Sequence, residues 1–351
     1  MDNLKNKRNH LLDIARIIAV LAVVMIHSSA TFVTNYELHT NEFIFGNLFD
    51  SIARIGVPLF LMISGALFLD ENKKITIKSV LSKNVKSLAF ITIIWAIMYS
   101  AASNVIFPLL TSKTISVKSF FIGILNGHSY MWYLYMLIGL YIITPFLRKF
   151  VSKENKNLVL FFIIISFVVQ FLFPTIDKVC ALHLDIDFIG KWIDKFHLDF
   201  FGGYITYFLV GWYIVHVGIN RKYLKYIIYC LSLISLLIIV FYVDFTGNYT
   251  IAYENIGALV FVYSLGVFLA INNIKISFKE KTIRILAKLS KLTFGVYIIH
   301  MLILSVFKEL LPYSQHSVLY ILLIFTIVVC CSFLCSFIIS KIPLVKKLIR
   351  T

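Results

Sequence analysis

Charge is what this sequence has least of. Only 14% of its 351 residues are Asp, Glu, Lys or Arg, while 60% are hydrophobic and the mean hydropathy is +0.89. No soluble globular class has that balance, so the chain reads as a polytopic helical membrane protein. Acidic residues are scarcer still, 17 against 33 basic ones. There are five cysteines, and only Cys180 falls outside an apolar run, which excludes a disulfide framework within one chain. The sequence also lacks a polar segment the size of a soluble domain, a lipidation box and a low-complexity tract. No pair of His, Cys or carboxylate residues shows ligand spacing on one helix, so no metal is expected.

What is there is a series of apolar windows, at about 11–33, 47–69, 87–107, 130–147, 157–174, 200–217, 223–243, 250–271, 292–311 and 317–340. They predict an all-α chain of about ten transmembrane helices that forms a single membrane-embedded domain over residues 1–351. The first window ends in Ser28-Ser29-Ala30, like a cleavage site, but it is longer than a signal-peptide core and holds Arg16, so it is read as an uncleaved span. With the N-terminus on the cytoplasmic side, 25 of the 33 Lys and Arg fall in inner segments and six in outer ones; the other two are Arg16 and Arg54. That bias puts both termini in the cytoplasm, and it explains the net charge of +16 through the lipid bilayer, without nucleic acid as a partner.

Ionisable groups inside a span are costly and mark an interior or a pathway. The first span carries three: Asp13, Arg16 and His27. Arg16 and His27 are eleven residues apart, three helical turns, so they share one face about 16 Å apart along the axis. Asp13 lies one turn before Arg16 and can pair with it. A buried structural ion pair and a hydrogen-bonded histidine would account for each residue singly; all three on one stripe favour function. Measured from a midpoint near Ala22, His27 lies about 7 Å outside the midplane and Arg16 about 9 Å inside it. The second span runs inward and brings Arg54 to about 6 Å outside the midplane, level with His27. Its sequence partner is Asp50, one turn earlier, and Gly56-Val57-Pro58 can open the helix there.

Elsewhere, Ser64-Gly65-Ala66 suits close helix packing. His300, with Tyr297 one turn away, reads first as an interhelix hydrogen bond. Lys73, Lys74, Lys78, Lys83 and Lys86 make a basic entrance on the inner side, Glu254 sits just inside span eight, and Trp132 opens span four. Two outer segments are long. Residues 104–129 have room for a short interfacial helix, and residues 174–199 combine Asp177, Asp185, Asp187, Asp194 and Asp199 with Trp192, His183 and His197. The second suits sugar contacts as well as plain solvation.

At these residues the chain resembles the acyltransferase-3 family of polytopic membrane acyltransferases. The matching elements are Asp13-x-x-Arg16 with His27, Arg54-Ile55-Gly56-Val57-Pro58-Leu59-Phe60 leading to Ile63-Ser64-Gly65, Met131-Trp132-Tyr133-Leu134 with Pro145, and the run from Ser290-Lys291-Leu292-Thr293 to Tyr297 and His300. It is most similar to the shorter members that O-acetylate surface glycans. Where the family often has an Arg-x-x-Arg pair, this chain has Lys83-x-x-Lys86, which keeps the charge but not the bidentate fork.

The resemblance implies transfer of acetyl from cytoplasmic acetyl-CoA to a hydroxyl of a surface polysaccharide or lipid-linked glycan, at the plasma (inner) membrane of a bacterium. It assigns His27, Arg16 and Arg54 to catalysis. His27 serves as general base or as acyl carrier, and Arg54 as oxyanion stabiliser. Arg16, Lys83, Lys86, Tyr297 and His300 go to the acetyl-CoA donor, and Glu254, Trp132 and Asp50 to the acceptor. A phosphopantetheine arm is roughly as long as the Arg16 to His27 separation. A secondary transporter or exporter of a small solute or glycan precursor accounts for the same polar column. The acceptor, the acyl group and a homo-oligomeric state stay open.

Overall fold

The computed structural model describes residues 9–110, 114–186, 190, 195, 202–311, 318–343 and 345–349. Among them there is no strand. Among the described residues eight helices are long and apolar enough to cross a membrane: α1 (His10–Asn35), the broken helix Asn41–Phe68, α4 (Ile77–Leu109), Val117–Phe150, α7 (Lys156–Leu184), α9 (Lys222–Thr246), α11 (Glu280–Leu310) and α12 (Leu319–Lys341). The broken helix consists of α2 (Asn41–Ala53) and α3 (Gly56–Phe68), and Val117–Phe150 contains α5 (Val117–Asn126) and α6 (Trp132–Phe150). The expected sixth and eighth spans are shorter apolar helices, α8 (Gly203–Val217) and α10 (Ala258–Asn272).

The chain divides into two compact units. One comprises the described parts of Met1–Lys73, Arg148–Ser290 and Ser317–Ile321, and the other those of Lys74–Leu147, Lys291–His316 and Leu322–Thr351.

In the first unit α1 packs on α2 and α3, α3 on α8, and α9 on α10 and α2. The α3–α8 contact is made by small residues. A Cβ at Gly65 would lie 1.8 Å from the Phe208 carbonyl oxygen, and one at Gly211 1.8 Å from that of Met62, so the two backbones touch where glycine faces each way. Near one end Val33, Phe43, Ile239, Val243, Ala252, Tyr253 and Val260 form an apolar cluster that joins α1, α2, α9 and α10. In the second unit Tyr99 donates to the carbonyl of Ile298 and Tyr297 to that of Tyr130, at 2.5 and 3.0 Å, which ties α4 and the start of α6 to α11.

One sequence boundary moves. Span five does not stop at Pro174: a π-turn over Val168–Leu172 shifts the hydrogen-bond register, Pro174 then falls in the first turn of a new helical segment where its missing N–H costs nothing, and the helix runs on to Leu184. Of the acidic outer segment, Asp187, Trp192, Asp194, His197 and Asp199 lie outside the described residues. The other long outer segment does contain a helix, α5, capped by Ser116 accepting from the Ser119 amide at 3.1 Å.

Candidate functional site

In the first unit the sequence builds the site on α1. The Asn9 side chain caps the helix by accepting from the Leu11 amide at 3.0 Å. Asp13 follows in the first turn, where the helix dipole favours a carboxylate. It is 1% exposed and lies 3.5 Å from the Arg16 guanidinium, whose side chain keeps 29% of its surface. Arg16 and His27 stand on the same continuous helix, and His27 is half-buried.

Between their depths the second span breaks. Arg54 closes α2 with its amide to the Ser51 carbonyl at 3.3 Å, and α3 starts at Gly56. Gly56 is needed there because a Cβ would meet the Val23 backbone nitrogen at 3.0 Å and the Ala19 oxygen at 3.2 Å, both on α1. Pro58 lies in the first turn of α3, where no intrahelical partner is lost. Tyr263 of α10 donates to the Ile52 carbonyl at 3.0 Å, so one acceptor freed by the break is satisfied by a side chain.

The break presents Arg54. Its guanidinium forms an ion pair with Asp50, which is 1% exposed, and lies 3.9 Å over the ring of Tyr253. Asp50 Oδ2 and Arg54 Nε are both buried and make no hydrogen bond among the described residues. They border a cavity of about 380 Å³ lined by Ala30, Val33, Thr34, Asp50, Arg54, Tyr249, Thr250, Tyr253 and Glu254. Ala30 and Thr34 follow His27 by three and seven residues, so the stripe that carries the histidine continues into the cavity wall. Glu254 is not inside span eight as expected. A turn from its carbonyl to the Gly257 amide, 3.0 Å, precedes the helix, which begins at Ala258, and Glu254 pairs with Lys178 at 2.5 Å on the rim.

At the other end of this unit Arg148 donates to the carbonyls of Phe68, Asp70 and Lys73 at 2.7, 2.8 and 2.7 Å, which closes the chain that leaves α3. The Lys73 ammonium donates to the Leu67 carbonyl at 3.0 Å. Burial holds its pKa below the ordinary 10.5; Asp70 opposes that shift, and the nearby charges of Arg16 and Arg148 add to it. Arg16 therefore belongs to a cluster of three cations.

The remaining candidates are in the second unit. Lys83 and Lys86 are exposed, at a π-turn over Val80–Val85. Trp132 is exposed at the start of α6, its ring edge-on to Tyr133. Tyr297 and His300 are buried, and His300 Nδ1 donates to the Tyr297 carbonyl one turn earlier on its own helix. The structure thus gathers Asp50, Arg54 and Glu254 at one cavity with the α1 stripe. It adds Tyr253, Tyr249 and Thr34, for which the sequence had given no signal.

A family model described as an acyltransferase domain matches residues 9–340. No curated protein and no solved structure matches. The match takes in the α1 stripe, the broken second span and α11 together, and the chain belongs to the acyltransferase-3 family of membrane acyltransferases.

Proposed function

We propose that this acyltransferase moves an acetyl group from cytoplasmic acetyl-CoA to a hydroxyl of a surface glycan or its lipid-linked precursor at the outer face of a bacterial plasma membrane. The observation that carries this reading is the relation of His27 to the cavity: Ala30 and Thr34 of its own helical stripe line it, opposite Asp50 and Arg54. A base one turn away from a cavity of this size, with a carboxylate and a guanidinium in an otherwise largely apolar wall, suits an acceptor hydroxyl.

In this mechanism His27 takes the proton of the acceptor hydroxyl as its oxygen attacks the thioester carbonyl. Arg54 supplies positive charge to the oxygen that becomes anionic. The tetrahedral centre collapses, the carbon–sulfur bond breaks, and the imidazolium returns its proton to the CoA thiolate, so an ester and free CoA leave with no net proton change. Arg16, three turns toward the basic side, holds an anionic or carbonyl group of the donor, and the cations around it favour that end for phosphates. Asp50 and Glu254 accept hydrogen bonds from the acceptor's other hydroxyls. Lys83, Lys86, Trp132, Tyr297 and His300 are the further binding candidates, from the second unit.

The test is release of free CoA from acetyl-CoA by detergent-purified protein, with and without a mixture of surface glycans. Wild type is expected to turn over and His27→Ala, folded to the same melting temperature, to lose at least a hundred-fold, on the order expected for a general base. A fully active His27→Ala protein would sink the role of the histidine. A folded wild type that neither binds CoA nor turns over would favour the transporter reading.

A further inference from the structure

Arg54 is placed at a helix end, which is a poor place to hold a long side chain still. It closes α2 at the break in the second span, two residues before α3 begins at Gly56, so it stands outside the regular hydrogen-bonded turns on either side. Asp50 fixes one edge of the group. What lies against its face is the ring of Tyr253, 199 residues further on, with the guanidinium carbon 3.9 Å from the ring centroid. That is the stacking distance at which an aromatic quadrupole attracts a cation.

The ring is itself held from behind. The Tyr253 hydroxyl donates to Asn47 Oδ1 at 2.7 Å and accepts from Ser51 Oγ at 3.4 Å; Ser51 Oγ also donates to Asn47 Oδ1, at 2.9 Å. The Asn47 amide nitrogen then donates to the Val240 carbonyl of α9 at 2.8 Å. Asn47, Ser51 and Tyr253 are all buried. The polar tip of the tyrosine is thus anchored to α2, one and two turns before Arg54, while its face is presented to the arginine. Tyr253 also lines the cavity, so the ring keeps the cation at the wall where Nε has no hydrogen bond among the described residues.

We infer that Tyr253 is a positioning residue for acyl transfer: its anchored ring is the platform that keeps the Arg54 guanidinium at the cavity wall. This rests on the acyltransferase reading above. Two roles are separable within one side chain, because the hydroxyl ties α2 to the turn before α10 while the ring face holds the cation.

The experiment replaces Tyr253 by phenylalanine and then by 4-fluoro-, 3,5-difluoro- and 3,4,5-trifluorophenylalanine in the full-length protein. The series leaves ring shape nearly constant and drains the electron-rich face step by step. Tyr253→Phe is expected to melt lower than wild type, through loss of the hydroxyl bonds, yet to keep most of kcat. Across the fluorinated series kcat for CoA release is expected to fall stepwise, on the order of ten-fold by the trifluoro ring, with KM for the donor little changed. Equal kcat along the series, or a loss already complete in Tyr253→Phe, overturns the platform. If folded wild type shows no acyl transfer at all, it is the functional reading that fails. In that case the ring–guanidinium contact is still read from the stepwise fall of melting temperature along the series, a fall that Arg54→Gln should abolish.

Discussion

Asp50 and Arg54 form an ion pair one helical turn apart at the point where the second span breaks, with the carboxylate almost fully buried. Removing one partner of such a pair leaves an uncompensated charge and costs about 3–5 kcal/mol, whereas removing both is far milder. Asp50→Asn and Arg54→Gln should each lower the melting temperature of the purified protein strongly, and the double variant should recover much of the loss. Additive losses would mean that the two groups do not depend on one another.

The crossing of α3 and α8 gives a second test. Gly211→Ala places a methyl 1.8 Å from the Met62 carbonyl oxygen, and backbone cannot swing aside as a side chain can. Overpacking of this kind costs about 1–3 kcal/mol or more, so the yield of monodisperse protein should drop and its melting temperature fall. Gly139 is the control, since a Cβ there meets nothing within 4 Å and Gly139→Ala should be neutral.

What the sequence made legible follows from the range of the interactions. Asp13 with Arg16 and Asp50 with Arg54 are separations of three and four on single helices, and both pairs form. The helix break was legible from Gly56 and Pro58, and Pro58 acts on its own backbone, but the close approach of Val23 and Ala19 that requires Gly56 was not. Gly65 was legible as a packing residue, but not its partner, since Phe208 is 143 positions away and no local pattern points to it. The platform under Arg54 is hidden for the same reason: Tyr253 stands among belt-like tyrosines and differs from them only in what it reaches. The length of α7 was misread because Pro174 normally ends a helix, and a π-turn placed just before it leaves no periodicity in the residue pattern.

Lys73 yields a pH prediction. Its pKa is held below 10.5 in the folded protein, first by burial and then by Arg16 and Arg148 against the pull of Asp70. Between that lowered value and the ordinary one, the opened chain binds more protons than the closed one, so closure of the segment gains stability as pH rises through this window. Arg148→Ala removes a neighbouring cation and three hydrogen bonds to the segment, and both losses raise the Lys73 pKa. NMR of protein with ¹³C-dimethylated lysines should show the Lys73 titration moving upward in the variant. An unmoved or lowered titration would contradict the cluster.

Glu254 separates binding from stability. Its pair with Lys178 is on the surface, the side chains 37% and 46% exposed, and exposed pairs contribute only about 0–1 kcal/mol. Glu254→Gln should therefore melt within about 2 °C of wild type, given how little free energy is at stake. Yet Glu254 borders the cavity beside Arg54, Tyr249 and Thr250, and an acceptor hydroxyl bonded to its carboxylate would lose a charge-assisted bond in the variant. KM for the acceptor should then rise about ten-fold while the slow hydrolysis of acetyl-CoA without acceptor stays as in wild type. Lys178→Ala frees the same carboxylate and should leave that KM unchanged or lower it. If both variants raise KM equally, the pair shapes the rim and the acceptor does not touch Glu254; if only Glu254→Gln does, the carboxylate is the contact.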